Sequence, residues 1–346
     1  TCDNCAMCDK GQEAHVPMEY FKPDLKCCTY DPLLPNYLVG AIFKDPDPSL
    51  DEGRKRLRER IATRMGVTPH RVSPPRKKTL HAISAQGANF FGRSYAIVCP
   101  YLEREKGLCT IWRHREAVCS TYYCKYTHGA VGYEHWRALK EFLGYVEYLL
   151  SQWAAKEVDP DTIEPQIKRG ELTLEDLEDR PPEDETYAKW WGDKWVGREE
   201  EFYVKTYELV SQLSKIEFNR IVFARKESTQ WLEAAIKKYD EASSPILPER
   251  LVRNKKIRER DAGEKLVIST YNRFDSFVIE RDLFDVLGML DPELSVEENL
   301  KKLDEEYGIE LHPDLLRELY RQSVLVPPVV EADPKSAMDG PPKPGS

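Results

Sequence analysis

Nine cysteines stand at Cys2, Cys5, Cys8, Cys27, Cys28, Cys99, Cys109, Cys119 and Cys124, and the rest of the 346-residue chain has none. Thiolates are soft ligands, suited to zinc, copper(I) and iron-sulfur clusters, and a Cys-x2-Cys pair presents both sulfurs to one metal from a single tight turn. The run Cys2-x2-Cys5-x2-Cys8 does this twice. Three cysteines at this spacing match the binding loop of a cubane cluster, but the ferredoxin-type run sets a fourth Cys followed by Pro close behind, and here residues 9–26 intervene. Zinc equally needs four ligands, and Cys27 and Cys28 are available to complete either kind of site. The count allows two four-thiolate sites with one thiol over, or one site and a separate redox pair. An odd number of cysteines in tight repeats argues against a disulfide framework and for thiols kept reduced. With no basic-then-apolar opening segment, the expectation is a cytoplasmic protein.

Other chemistry is sparse. No Gly-x-Gly-x-x-Gly, phosphate-loop or Gly-x-Ser-x-Gly signature is present. His114-Arg-Glu116 has the His-x-Glu form of a zinc deaminase but lacks the Pro-Cys-x-x-Cys partner which that chemistry requires. His70, His81, His128, His135 and His312 are isolated and read as surface or hydrogen-bonded side chains; His15, between Cys8 and Cys27, is the best spare ligand.

The second cysteine group reads Cys99-Pro-Tyr-Leu, then Cys109-Thr-Ile-Trp-Arg-His-Arg up to Cys119, then Cys124. With the N-terminal repeat and the Cys27-Cys28 pair, this order resembles the CxxCxxCC family of zinc- or iron-chelating proteins, which includes the flagellin lysine N-methylases. The resemblance covers residues 2–124. It implies Cys5, Cys8, Cys27, Cys28, Cys99, Cys109 and Cys119 as ligands and places Arg115 at the family's arginine beside the second cluster, as a cofactor-binding residue. The chain departs from the pattern in the 18 residues between Cys8 and Cys27 and in Glu116, where the family has proline.

The elements that must position these thiols follow from periodicity. The spacing predicts a loop-rich, metal-stapled cysteine domain over residues 1–132 with one amphipathic helix at 50–65. A helical middle over 133–244 follows, in which Trp136, Leu139, Leu143, Val146, Leu149, Leu150 and Trp153 mark one helical stripe. Residues 157–185 read as an acidic linker with a short helix near 172–177, and 199–242 as one long helix or a pair. Trp190, Trp191 and Trp195 read as core. Residues 246–326 predict a hairpin over 264–279 and helices at 281–290, 295–307 and 313–323, the second opened by the capping box Ser295-Val-Glu-Glu298. The Pro-, Gly- and Ser-rich residues 327–346 read as a disordered tail. The fold class is therefore α+β and mainly helical.

In its order of elements, the last domain resembles a small winged-helix or PqqD-like peptide-recognition domain, which implies a protein or peptide partner. Nucleic acid is disfavoured there, because residues 291–310 carry eight acids against two lysines. Upstream the balance reverses: residues 1–130 hold 20 Lys and Arg against 14 Asp and Glu, concentrated in 54–64 and 71–78, within a chain of net charge -9. Such a run is more often a solvated face than a nucleic-acid site. No apolar stretch approaches the roughly 18 residues a membrane span needs. The expected function is a metal-binding protein, with an iron-sulfur cluster favoured over zinc, serving as an accessory or modification enzyme on a protein partner. The alternatives are a structural zinc protein for protein-protein interaction and a metal-dependent redox sensor.

Overall fold

The computed structural model describes residues 4–9, 11, 20–84, 90–165, 178–244 and 246–328. Helices dominate and the sheets are small, so the class is α+β and mainly helical. Two compact units form, one of residues 1–124 with 134–239, the other of 125–133 with 240–346. Among the described residues, no helix is long and apolar enough to cross a membrane.

The cysteine region and the helical middle, expected as separate domains, share one core in the first unit. Leu34, Val39, Ile42, Leu57, Tyr101, Leu102 and Ile111 from the former pack with Tyr187, Trp191, Trp195, Phe202 and Tyr203 from the latter. Trp191 and Trp195 are fully buried, as their apolar bulk requires, and both meet Phe202 edge-on, at 5.3 and 5.1 Å between ring centroids. The close approach depends on helix α1 (Asn36–Lys44), whose Gly40 lies against Tyr203; a Cβ there would come within 1.9 Å of the Tyr203 carbonyl oxygen. A three-stranded antiparallel sheet, β1 (Leu34–Pro35), β3 (Arg71–Val72) and β2 (Val67–Thr68) in that order, leads into α1. Asn36, wholly buried, ties it down by donating from Nδ2 to the carbonyls of Pro69 and Ser151, each at 3.0 Å.

The basic run lies on α2 (Asp51–Ala62) and just beyond it, and its arginines are used inside the chain. Arg56 donates to the carbonyls of Pro100 and Leu102 at 2.8 and 2.7 Å, Arg58 pairs with Glu200, Arg60 donates to Ser73 and Arg64 pairs with Asp184. The second basic stretch begins on β3 and continues on α3 (Arg76–Ser84), where Lys78 bonds Asp31. Three more elements of this unit are the short hairpin β4 (Leu102–Glu103) and β5 (Leu108–Cys109), and α4 (Ala117–Thr121). The stripe predicted over 133–156 is α5, Gly129–Val158, and the next helix is α6, Asp184–Trp191. In place of one or two helices over 199–242 there are three: α7 (Glu199–Ser211), α8 (Lys215–Val222) and α9 (Lys226–Ser243). The first break is set by Ser214, which caps α8 in a capping box with Glu217. The short helix expected near 172–177 lies outside the described residues.

The second unit has its own core, with Leu266, Ile268, Ile279, Phe284, Leu287, Leu303, Leu316 and Leu319 buried together. Strands β7 (Arg258–Ala262), β8 (Lys265–Ser269) and β9 (Phe277–Glu280) form an antiparallel sheet in that order, with Leu266 opposite Ile279. The expected hairpin is β8 with β9; β7 is an additional strand. Helices α10 (Arg281–Leu287), α11 (Val296–Tyr307) and α12 (Pro313–Arg321) follow, and the Ser295–Glu298 capping box is present. A pair of short strands, β6 (Val252–Arg253) and β10 (Leu325–Val326), joins the two ends of the unit. Of the expected tail, residues 329–346 lie outside the described residues.

Candidate thiol site

Four stretches of chain carry the cysteines of the first unit. In the first, the Cys8 amide donates to the Cys5 carbonyl at 3.3 Å, closing the turn that the Cys-x2-Cys spacing predicts. Met7 and Phe21, both buried, hold that turn to the second stretch: the Phe21 amide donates to the Met7 carbonyl and Cys8 bridges Phe21 in parallel. From Phe21 the chain makes a compact turn to Cys27 and Cys28, in which the Cys28 amide donates to the Leu25 carbonyl at 3.0 Å. Lys26 is buried there with a positive φ of 53°, and its ammonium donates to the Gly107 carbonyl at 2.7 Å. Gly92 lies over Phe21, where a Cβ would come within 2.2 Å of the ring, and its amide donates to Thr29 Oγ1. A glycine is the residue that fits, since its φ is +73° as well.

The third stretch begins at Cys99, whose amide donates to the Cys28 carbonyl at 2.8 Å. Tyr101 turns the chain into β4, and pairing of Leu102 with Cys109 across β4 and β5 returns the chain to the same end. The two arginine bonds from α2 to the carbonyls of Pro100 and Leu102 fix this Cys-Pro-Tyr-Leu turn. The fourth stretch is α4 and the residues after it. Glu116 caps α4, accepting from the amides of Val118 and Cys119 at 2.6 and 2.9 Å, and its carboxylate also engages the Cys119 thiol. Arg115 lies flat on Trp112, 3.4 Å from the ring centroid, and donates to the Cys119 carbonyl at 3.1 Å. A relay of rings then ties Cys124 to the first turn: Phe21 meets Phe91 at 5.5 Å, and Phe91 meets Tyr122 at 5.4 Å.

Every described cysteine carries a thiol, with no disulfide among them. Their mutual electrostatics follow the backbone. Hydrogen bonding from Cys28 pulls the Cys27 thiol down to about 7, aided by the positive charges of Arg115 and Lys26, whereas Cys28 is pushed far up by the same bond and by burial. Burial pushes Cys99 and Cys119 well up and Cys124 up to about 12. Cys8 is raised to about 11 by burial and by Cys5, to which it hydrogen-bonds. Beside the thiols sit two carboxyl groups that the sequence did not single out together. Burial raises Glu116, which is 3% exposed, and raises Glu147 of α5 to about 8, with the Glu116 charge adding to it; the Ala117 amide donates to Glu147. The sequence marked Glu116 only through the His-x-Glu form and as the residue in the family's proline position; its place three residues before Cys119, at the start of a short helix, is the signal for its capping role.

Cys5, Cys8, Cys27, Cys28, Cys99, Cys109, Cys119, Cys124 and Arg115 are thus brought to one part of the first unit, while Cys2 and His15 lie outside the described residues. The sulfurs are not drawn into ligating positions: among the described residues, no group of three or more His, Cys, Asp and Glu is arranged to hold a metal ion. His114 bonds Asp45 at 2.8 Å, His135 bonds the Ala235 carbonyl, and His312 caps α12 by accepting from the Asp314 amide. His70 differs from its expected surface or hydrogen-bonded role. It is 1% exposed, neither ring nitrogen has a partner among the described residues, and burial lowers it to about 4, so it is neutral. No family profile, curated protein or solved structure matches the chain.

Proposed function

We propose that the first unit is a soft-metal thiolate centre, taking an iron-sulfur cluster or zinc, in a protein that acts as an accessory or modification factor on a protein or peptide partner. The observation that carries this reading is the convergence of eight thiols from four separate stretches, each stretch fixed by its own backbone bonds. Structural cysteines scattered for packing have no reason to collect in this way, whereas a thiophilic metal requires it. Motif resemblance to the CxxCxxCC proteins supports the same reading. Metal binding supplies what the isolated chain lacks, namely a force drawing the sulfurs from neighbourhood into ligating distance and releasing their protons. Arg115, already bonded to the Cys119 backbone and close enough to lower Cys27, offsets part of the negative charge that several thiolates bring. The test is anaerobic purification followed by iron, acid-labile sulfide and zinc analysis. Protein that is metal-free as isolated, and takes up neither zinc nor iron after reduction, sinks the reading.

The second unit supports a recruiting role. Its sheet has two outer edges, and the charged side chains of β7, all exposed, guard one of them against casual pairing. The β9 edge, Phe-Val-Ile-Glu, is the better place for a peptide to add a strand. A competing reading, a redox sensor, draws on the Cys27-Cys28 pair, because a thiol lowered to about 7 is partly thiolate at neutral pH and so oxidises readily. Metal protects that pair and oxidation displaces the metal. Loss of bound metal on peroxide treatment, restored by a dithiol, separates the sensor from a purely structural site.

A further inference from the structure

We infer that the Pro69–His70 turn is an acid-release latch of the first unit: a proton taken up by the buried His70 ring meets no free acceptor and releases the helices that the turn holds together. This stands apart from the metal reading above. The turn joins β2 to β3, and the carbonyls in and beside it bind three helices. Thr68 accepts from the Tyr203 hydroxyl of α7 at 2.7 Å and Pro69 from Asn36 Nδ2 of α1 at 3.0 Å. His70 accepts from the Asn36 amide at 2.9 Å and from Ser151 Oγ of α5 at 2.5 Å. Asn36, Ser151 and Tyr203 are all buried, so these bonds are made away from solvent, where each counts for more. Opening this one turn unties α1, α5 and α7 at once.

The ring of the same residue adds no bond to this junction. It is 1% exposed, and neither Nδ1 nor Nε2 has a partner among the described residues. A neutral imidazole has one donor and one acceptor, both unmatched here, and a protonated one would bury two unmatched donors and a charge. The carboxylate that faces it is already engaged: Glu164 pairs with Arg71 at 2.5 Å and accepts from Gln152 Nε2. Lys156 is engaged in the same segment, donating to the carbonyls of Pro160 and Thr162 at 2.9 and 2.7 Å. The charges facing the ring are thus Arg71 from β3, Lys156 from α5 and Glu164 from the stretch after α5, two cations to one anion. Against the turn, α1 and α7 set the uncharged Asn36 and the Tyr203 hydroxyl. Burial holds the folded ring at about 4 against an ordinary 6.5, so its share of stability is intact above 6.5 and is lost as pH falls towards 4.

All seven tryptophans lie within residues 1–124 and 134–239, so tryptophan fluorescence reads the first unit alone. The test is urea unfolding of the full-length reduced chain and of His70→Leu, followed by that signal near pH 7.5 and near pH 5. From the two pKa values, the unfolding equilibrium constant of the unmodified chain should rise about 30-fold more than that of the variant over this interval. An equal pH dependence in the two proteins overturns the latch. Amide exchange, corrected for its intrinsic rate, should show protection of α1, α5 and α7 falling together near pH 5 in the unmodified chain and not in the variant. Loss confined to one of these helices also overturns it. Should the variant fail to fold, the unmodified chain decides, by carbon-13 NMR of ring-labelled histidine. One imidazole of the seven that stays neutral near pH 5 in the folded chain supports the latch. Seven charged imidazoles at that pH, with the tryptophan signal still native, overturn it.

Discussion

The second unit buries leucines from three helices and a sheet that all lie close in sequence, and nearly every residue of its core comes from one stretch of about 75 residues. The cysteine-bearing part of the first unit is the opposite. Its own segments are short, its strands are two residues long, and its apolar side chains are buried against aromatic residues that arrive much later in the chain. A region rich in loops and cysteines can thus have a well-packed interior that it does not itself supply. The expectation that metal alone holds such a region together is accordingly too strong. If the proposed metal binds, stripping it should loosen the turns around Cys5, Cys8 and Cys28 while leaving α1 and α2 protected from hydrogen exchange.

The largest effect that would break this comparison comes from Trp191→Ala. Removing a fully buried tryptophan costs about 3–5 kcal/mol, and if the core is shared, amides of residues 99–111 lose exchange protection together with those of α6 and α7. Protection that persists at 99–111 would show that the cysteine region stands alone. In the same variant the second unit should keep its slow-exchanging amides.

Next in size is Glu116→Ala, which uncovers two α4 amides in a buried setting; about 2 kcal/mol of stability should go, read by urea denaturation. Glu116→Gln, which keeps an acceptor, should recover most of it.

A smaller effect appears as pH dependence. Glu147 titrates at about 8 in the folded chain against an ordinary 4.5, so between these values the folded state holds a proton that the unfolded chain has released. Stability therefore falls as pH rises through that window, by no more than about 1.4 kcal/mol per pH unit for the single group. The difference between the unmodified chain and Glu147→Gln in urea midpoint should grow from acid to alkaline pH, in favour of the variant. A constant difference would refute the assignment.

Smallest is Ser295→Ala in the second unit, about 1 kcal/mol for a solvent-exposed cap, with no change in exchange at the thiols.

Much of the second unit was legible because its signals are local. Ser295 and Glu298 announce α11, and the apolar residues on either side of residues 270–276 announce β8 and β9. Strand β7, Arg-Glu-Arg-Asp-Ala, was not, since it has no buried face and hence no alternation to read. In the first unit the α5 stripe was visible, as was the chemistry of the cysteines, whose types and spacing speak without any structure. Their grouping was not. Which sulfur neighbours which depends on Cys99 bonding to Cys28 and on ring contacts between Phe21, Phe91 and Tyr122, all of them long-range. The arginines of 54–64 lie on a partly solvated face, as their sequence suggests, but the carbonyl and carboxylate partners they also use, such as Leu102 and Glu200, are far off in the chain and so could not be read locally.

The contact of Gly40 with Tyr203 also bears on how the protein comes into being. During synthesis, helix α1 emerges about 160 residues before the helix it must lie against. For all that time Cys5, Cys8, Cys27 and Cys28 have already been made while the aromatic core that buries their unit is not yet in place, and for about the first half of it Cys124, the last of the cysteines, is still to come. The nascent chain is therefore most exposed to oxidation and to capture of a wrong metal before it has finished being made, and its yield in a cell should respond to thiol-reducing capacity more sharply than the stability of the finished protein does.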